Sequence, residues 1–553
     1  MHRIEPIPVN NAPLKFNYLQ AYSYTGQLAK TFPGRVTWSE KRKEAAEWLK
    51  GEFRKMGYDP QGLLFSEVIA GKQYPNLEDV FAVKRGVKHP EEIMVAMAHY
   101  DVVETTSEGA MDDASGVGVV LELARVFSKE PSDRTIIFLI TDSEEYGAFW
   151  GARAFAQNYP DAKKIVATAN FDFVGPEKQT KVLTLCDGLR TGFTPLWLRE
   201  LALNSLRSVG GAEAIDMTNF MEHVERGLLI PAADHGPFLA EGIPAFNWVG
   251  EMDNFPYEMA HYHHTPYDTF EAMKPESFKP FGEGAERLFR TIDALPNIPQ
   301  DFRNSSYWKI TRQLYLDGPV VTFLHILAFI PFLFYSVARF GEVFRSHPRD
   351  RIWSVLRNEA KLIGIVLGSL LLGYVVLLLL PSLKIITQYE AYPATQKSLL
   401  LYHPEILPIA AVIGSTILVY FIFRKAFAEP DDLVEHVEIR HALHAAFLAV
   451  IIILAFLKNS YLGTLLLLPP AYLWTALRIR KRVEDRILNG LLLLGGAITF
   501  VTVLILMATL FHIGVAYWYL FLAAAYGLIS AYSVVLFFMA LTILLRLFRA
   551  FVL

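Results

Sequence analysis

Five short groups of His, Asp and Glu residues occur in the first half of the chain, and each could serve in metal binding or proton transfer. Along the chain they are His99-Tyr100-Asp101, Asp112-Asp113, Glu144-Glu145, Asp172 and the segment HTPYDT that begins at His264. Taken singly, each has an ordinary explanation, such as a solvated acidic pair or the N-cap of a helix. Together, two histidines and three carboxylates match the ligands that a dinuclear zinc site requires.

The carboxylates of such a site have different roles. Two metal ions about 3.5–4 Å apart share a ligand, and a carboxylate with two oxygens suits that bridging position. A further carboxylate has to stay off the metals in order to accept a proton from bound water. Asp101, two residues after His99, can hold that imidazole in its binding orientation. The groups therefore predict a site that activates water.

The elements that must position these groups alternate between two apolar patterns. Helical spacing occupies 40–55, 115–127 and 152–158, and short apolar runs typical of buried strands occupy 93–98, 135–141 and 165–171. This alternation predicts an α/β fold with a mixed, largely parallel sheet sandwiched by helices. Ligands of such sheets bind at the carboxyl ends of the strands. Because His99, Glu144 and Asp172 follow the three strands, we expect them to meet there.

In their order and spacing the five groups resemble the zinc aminopeptidase family, which includes bacterial leucyl aminopeptidases, glutamate carboxypeptidase II and the glutaminyl cyclases. The resemblance spans residues 20–290. It follows the family pattern His-x-Asp, Asp-(Asp/Asn)-x-(Ser/Ala)-Gly, Glu-Glu, an acidic residue after a strand, and a late His. It implies a peptidase domain of the zinc-exopeptidase type over 1–300, with two Zn²⁺ ions as cofactors and a peptide as substrate.

Carried over by position, the resemblance implies a role for each metal ligand. His99 and Asp172 would bind one zinc ion, and Glu145 and His264 would bind the other. Asp112 would bridge the two ions, because it stands two residues before the Ala-Ser-Gly of the motif.

The last ligand has competitors in the segment HYHH. His264 is preferred to His261 and His263 because it heads the sequence His-Thr-x-x-Asp-Thr.

The same resemblance implies catalytic roles for Glu144 as general base and for Asp101 beside His99. The function it implies is an aminopeptidase that removes N-terminal residues through a metal-bound hydroxide. The segment 234–238 (DHGPF) also resembles a family segment that lines the site. Its alternative explanation is a turn before an apolar helix.

From about residue 320 the composition changes to runs of Leu, Ile, Val, Ala and Phe. Their lengths of roughly 16–25 residues are close to what crosses a hydrocarbon core about 30 Å thick. We predict a linker over 301–319 and a transmembrane domain of about seven helices over 320–553. The predicted spans are 320–340, 362–380, 406–423, 442–457, 461–477, 488–511 and 515–545.

This layout resembles a membrane-anchored branch of the family, typified by the endoplasmic-reticulum metallopeptidase and the vacuolar membrane protease. Loops rich and poor in Arg and Lys alternate between the spans, which predicts a multi-pass protein whose peptidase domain faces away from the cytoplasm. The first 33 residues contain no apolar core of a signal peptide, so the route of the domain across the membrane stays open.

Composition excludes several other classes. Basic residues cluster between apolar runs and the net charge is −4, so nucleic acid binding has no support. A single cysteine, Cys186, rules out a disulfide framework and a thiolate zinc site. Three alternatives remain open: cyclase or carboxypeptidase chemistry on the same fold, a non-catalytic receptor domain, and a transport-associated binding domain. Nothing in the sequence specifies an oligomeric state.

Overall fold

The fold is given by a computed structural model of the whole chain. The structure describes residues 1–69, 72–145, 149–174, 179–217, 219–229, 231, 233–252, 261–382, 437–467 and 530–552, together with 414, 417–419, 421–422, 487 and 491.

An eight-stranded mixed sheet forms the centre of the first half of the chain. In chain order the strands of the molecule are β1 (His2–Arg3), β2 (Gln61–Ile69), β3 (Lys72–Lys84), β4 (His89–His99), β5 (Arg134–Thr141), β6 (Ile165–Asp172), β7 (Gln179–Leu185), β8 (Glu213–Ile215), β9 (Ala245–Met252), β10 (Tyr307–Lys309) and β11 (Leu314–Asp317). The order in the sheet is β2-β3-β5-β4-β6-β9-β7-β8. The four central strands β5, β4, β6 and β9 are mutually parallel. The pairs β2–β3, β3–β5 and β7–β9 are antiparallel, and β7 and β8 are parallel. The predicted mixed sheet is confirmed.

Helices cover both faces of this sheet. Those of the first half are α1 (Tyr18–Thr31), α2 (Glu40–Lys55), α3 (Ser115–Ser128), α4 (Trp150–Asn158), α5 (Leu196–Val209), α6 (Asn219–Leu228), α7 (His235–Ala240) and α8 (Phe278–Ala294). Successive residues of a strand point to opposite faces, so β4 sends Met94 and Ala96 to one core and Val95 and Met97 to the other. Burial on both faces explains why the central strands are continuous apolar runs in the sequence.

The predicted linker contains regular structure. Within 301–319, β10 and β11 pair antiparallel, and β11 also pairs with β1 at the start of the chain. This small sheet therefore connects the beginning of the chain to the point where the hydrophobic region starts.

The described part of the hydrophobic region consists of long helices: α9 (Gly318–Ser346), α10 (Arg349–Ser382), α11 (Val437–Lys458) and α12 (Ala531–Val552). Among the described residues, two helices are long and apolar enough to cross a membrane, Gly318–Ser346 and Glu438–Lys458. They contain the predicted spans 320–340 and 442–457, and α10 contains 362–380. The predicted spans 406–423 and 488–511 lie almost wholly outside the described residues, as do parts of 461–477 and 515–545.

Candidate metal centre

The carboxyl ends of three adjacent parallel strands bring the predicted residues to one edge of the sheet. His99 is the last residue of β4, and Asp172 is the last residue of β6. His99 is in register with Thr141, the last residue of β5, and Glu144 follows three residues later. Ser143 has a φ of 60°, a left-handed conformation that ends the strand direction and starts the turn containing Glu144.

Asp112 lies between the two predicted histidine ligands and offers one oxygen to each. Its Oδ1 is 3.1 Å from His99 Nε2, and its Oδ2 is 3.3 Å from His264 Nε2. His264 Nε2 is also 2.7 Å from Glu145 Oε2, and His99 Nε2 is 3.9 Å from Asp172 Oδ1. The five predicted ligands thus form one continuous buried cluster, with two donors on either side of Asp112.

Asp112 is held in place by a carboxylate that the sequence analysis did not assign. It lies in a single wide helical turn, Ala110–Ala114, where its φ of −119° and ψ of 92° are extended, not helical. The buried Asp268 accepts hydrogen bonds from Met111 N at 2.6 Å and from Asp112 N at 3.1 Å. Asp268 is the acidic residue of His-Thr-x-x-Asp-Thr, so the motif itself was the signal that could have identified it.

Asp101 contacts both the predicted general base, Glu144, and the predicted ligand His99. Its Oδ1 lies 3.5 Å from His99 Nδ1 and accepts a hydrogen bond from Glu144 N at 3.0 Å. Its Oδ2 lies 3.3 Å from both Glu145 N and Thr37 Oγ1. A buried carboxylate in this place orients the imidazole and fixes the Glu144-Glu145 turn at the same time.

Two histidines of the HYHH segment, not one, face Asp112. His263 Nε2 is 3.3 Å from Asp112 Oδ2, the same distance as His264 Nε2. The two rings stack with centroids 3.8 Å apart. His261 instead stacks on Tyr267 at 4.5 Å. The sequence analysis set His263 aside, but the structure includes it in the cluster.

The segment 234–238 also reaches this edge of the sheet. Asp234 is buried and accepts a hydrogen bond from the hydroxyl of Thr141, at the end of β5. Asp234 precedes α7, so the segment is both a turn before an apolar helix and a neighbour of the site.

Burial and mutual repulsion make most of these carboxyl groups hard to ionise without a cation. Burial raises the pKa of Asp172 to about 8 and that of Glu145 to about 7, and in each case the nearby Asp112 adds to the shift. Burial also raises the pKa of Glu144 well above its usual range. Asp112 differs: although burial opposes its ionisation, hydrogen bonds to His264 and His99 hold its pKa well below the usual range.

The donor set fits zinc. Three groups of side chains offer ligand atoms within 4.8 Å of one another, namely His99-Asp112-Glu145, His99-Asp113-Asp172 and Asp112-His263-His264. Imidazole nitrogen and carboxylate oxygen are the ligands zinc takes where no thiolate is present. Buried Glu145 Oε1 has no hydrogen-bond partner among the described residues, as expected of an atom that coordinates a cation.

Zinc uptake by the metal-free protein is expected to release protons and to weaken as the pH falls below about 8. Because Asp172 and Glu145 have pKa values of about 8 and about 7, they are protonated at lower pH and must lose that proton to bind a metal. Zinc titration calorimetry at pH 6 and pH 8.5, in buffers of different ionisation enthalpy, measures both the zinc affinity and the number of protons released. Equal affinity at the two pH values with no proton release would contradict this assignment.

The chain is similar to known zinc peptidases. Residues 79–288 match the model of Peptidase family M28. A probable zinc metalloprotease of Pyrenophora tritici-repentis is 27% identical over 253 residues, 38% of this chain and 57% of that protein. Aminopeptidase YwaD of Bacillus subtilis is 28% identical over 211 residues, 37% of this chain and 42% of the relative.

Among solved structures, the zinc aminopeptidase BSAP from Bacillus subtilis gives a TM-score of 0.43 at 16% identity, over 52% of this chain and 100% of that one. The chain spans about half the length of the curated relatives it matches, with 57%, 40% and 58% of the first three covered. Residues 79–288 are therefore similar to peptidase family M28, and the relatives that align with this part of the chain are a probable zinc metalloprotease and an aminopeptidase.

Proposed function

We propose that this protein is a membrane-anchored aminopeptidase that uses two zinc ions. The observation that carries the proposal is the position of Asp112, whose two oxygens face His99 on one side and His264 on the other, at 3.1 and 3.3 Å. A carboxylate placed in this way can be shared by two metal ions. His99 and Asp172 would hold one ion, and Glu145 and His264 the other.

The bound ions would polarise the scissile carbonyl and lower the pKa of the attacking water. Glu144 is the residue left to accept the proton of that water. Its backbone is fixed by Asp101, and its carboxyl group belongs to none of the three ligand groups found among the described residues. Once Glu144 has taken that proton, it can pass it to the leaving amine. Asp101 is a positioning residue.

The charge of the site favours recognition of a free N-terminus over a C-terminal carboxylate. Two buried arginines lie near the cluster, and both are already engaged. Arg35 donates to the backbone carbonyls of Tyr100, Glu108 and Gly109, and Arg42 pairs with Asp142. In the part of the chain that the structure describes, neither arginine is left to bind a substrate carboxylate, whereas acidic groups are in excess. We therefore place aminopeptidase activity ahead of carboxypeptidase activity.

A substrate panel tests the function. The zinc-loaded full chain in detergent is expected to hydrolyse aminoacyl-naphthylamides. It should be at least about tenfold slower on the N-acetylated forms, because each loses the charged amine that the acidic site recognises. Ring closure of N-terminal glutaminyl peptides without hydrolysis would select the cyclase, and release of C-terminal residues would select the carboxypeptidase. Binding without turnover on every substrate would select the receptor alternative.

We further propose that the hydrophobic region spans the membrane several times and leaves the peptidase domain outside the cytoplasm. The two apolar helices Gly318–Ser346 and Glu438–Lys458 support membrane association. Cys186 is buried and is the single cysteine, so an engineered cysteine would be the reactive thiol. A cysteine in place of the exposed Glu40 should react with an impermeant thiol reagent in intact cells. If it reacts only after lysis, the peptidase domain faces the cytoplasm and the proposed orientation is wrong.

A further inference from the structure

The peptidase domain and the hydrophobic region meet at α6. The guanidinium carbon of the buried Arg226 lies 3.7 Å from the ring centre of Phe193 and 4.5 Å from that of Tyr307, both in the first part of the chain. A third ring, that of Tyr461, lies 5.6 Å away and belongs to the segment that follows α11. A desolvated guanidinium among aromatic faces is a favourable and geometrically specific contact.

The charge of Arg226 is compensated inside the peptidase domain. Glu222, one turn earlier on α6, lies 2.8 Å from Arg226 Nε and 2.8 Å from Arg199 Nη1. Arg199 in turn pairs with Asp216 at 2.7 Å, and Asp216 with Lys309 at 2.6 Å. A buried network in which each charge has a partner resists displacement, because moving one member leaves another unpaired. It fixes α6 on its inner side.

The outer side of α6 is fixed by residues 459–467, which we call the docking segment. Asn459 Nδ2 donates to the backbone carbonyl of Arg226, and the hydroxyl of Tyr461 donates to the carbonyl of Tyr307 at 3.3 Å. At Gly227 the approach is so close that a Cβ atom would lie 2.6 Å from Leu465 Cδ1 and 3.4 Å from Leu462 N. A side chain at position 227 would therefore displace Leu465 or the helix, whereas glycine allows the observed approach.

The contact continues into the core under the site. Val224 of α6 and Leu465 of the docking segment belong to the same buried cluster as Val95 of β4 and Leu139 of β5. The chain runs from Leu228, the end of α6, to Asp234 in six residues.

Asp234 connects the segment after α6 to the candidate metal centre. The hydroxyl of Thr141 lies within hydrogen-bond distance both of the Asp234 carboxylate and of Ala98 O, at 3.1 Å for the latter. Ala98 immediately precedes His99, and Thr141 precedes Glu144 by three residues. Displacement of α6 would therefore be transmitted to the ends of the two strands that carry a ligand and the base.

We propose that the docking segment is a positioning element of the peptidase: by bracing α6 it holds Asp234 against the ends of β4 and β5. The inference rests on the proposed function. It assigns the hydrophobic region a part in the catalytic architecture, beyond that of a membrane anchor.

The test introduces a clash at the contact and then relieves it, always in the full chain. Gly227→Val places side-chain atoms against Leu465, and the double variant Gly227→Val/Leu465→Ala makes room for them. Gly51→Val in α2 is the matched control, because nothing lies within 4 Å of a Cβ there. Zinc content, kcat, KM and amide hydrogen exchange of 233–240 are measured for each variant.

Gly227→Val is expected to keep its zinc, to raise hydrogen exchange over 233–240, and to lose roughly tenfold to a hundredfold in kcat with little change in KM, as for a small misplacement of catalytic groups. Leu465→Ala in the same chain should recover most of kcat and of the protection, since the two sites are in contact. Gly51→Val should change neither kcat nor hydrogen exchange over 233–240.

Two results would overturn the inference: Gly227→Val with unchanged kcat and exchange, or loss of kcat that Leu465→Ala does not relieve. A wild-type chain that cleaves no substrate in the panel would reject the proposed function instead. The exchange measurements would then still decide whether the docking segment controls 233–240.

Discussion

Replacing Glu144 by glutamine is expected to lower kcat by roughly 10²–10⁴-fold, the usual contribution of a general acid–base residue. Glutamine keeps the shape of the side chain but cannot accept a proton from the attacking water. Glu144 N donates to Asp101 Oδ1 at 3.0 Å through the backbone, so the turn that carries the residue should be preserved. Since Glu144 is in none of the ligand groups among the described residues, zinc content and KM should change little.

Steady-state kinetics and metal analysis of the same preparation check this expectation. Glu40→Gln, at an exposed position on α2, is the matched control and should be indistinguishable from the wild type. Near-normal turnover in Glu144→Gln would reject the assignment of Glu144 as the general base. Loss of zinc in that variant would indicate that Glu144 is a metal ligand and not a base.

The parts of the fold that the sequence predicts best are those fixed by local patterns. The apolar runs that became β4, β5 and β6 are buried on both faces, so their composition alone marks them as central strands. The pairing of β11 with β1 was not predicted, because it joins residues about three hundred positions apart along the chain. Strand pairing over that separation leaves no periodic signal in either segment.

The candidate site likewise has a part that the sequence predicts and a part that it does not. Five ligands were predicted from order and spacing, and the structure brings them together around Asp112. The contact of His263 with Asp112 could not be predicted from spacing, because it depends on the turn that contains His263 and His264. His264 has a φ of 56°, and this left-handed conformation allows both rings to face one carboxylate.

The contact between α6 and the docking segment is likewise absent from any local pattern. Gly227 in a helix and Tyr461 beside an apolar run are ordinary residues when taken separately. Their role in the contact is visible only in the structure, where Leu465 Cδ1 lies 2.6 Å from the position that a Cβ atom on Gly227 would occupy. Contacts between parts of a chain that are distant in sequence are set by the packing of whole layers, which a single sequence does not encode locally.

Replacing Asp112 by alanine is expected to remove both zinc ions. Loss of residues that only support a ligand typically lowers metal affinity by roughly 10–100-fold, so loss of a shared ligand should cost at least a hundredfold at each ion. The substitution also leaves His99 and His264 without the carboxylate that lies between them at 3.1 and 3.3 Å. Because both ions share Asp112 in the proposed arrangement, neither should remain after dialysis, and turnover should be lost with them.

Asp172→Ala provides the comparison that makes this prediction specific to a bridge. Asp172 lies on the His99 side of the cluster, 3.9 Å from His99 Nε2, and is absent from the contacts of His264 described above. We therefore expect Asp172→Ala to lose one ion and to retain the ion held by Glu145 and His264. Zinc per chain, measured by mass spectrometry after dialysis, separates the two variants. If Asp112→Ala and Asp172→Ala each keep one ion, Asp112 serves a single metal and the bridged arrangement is wrong.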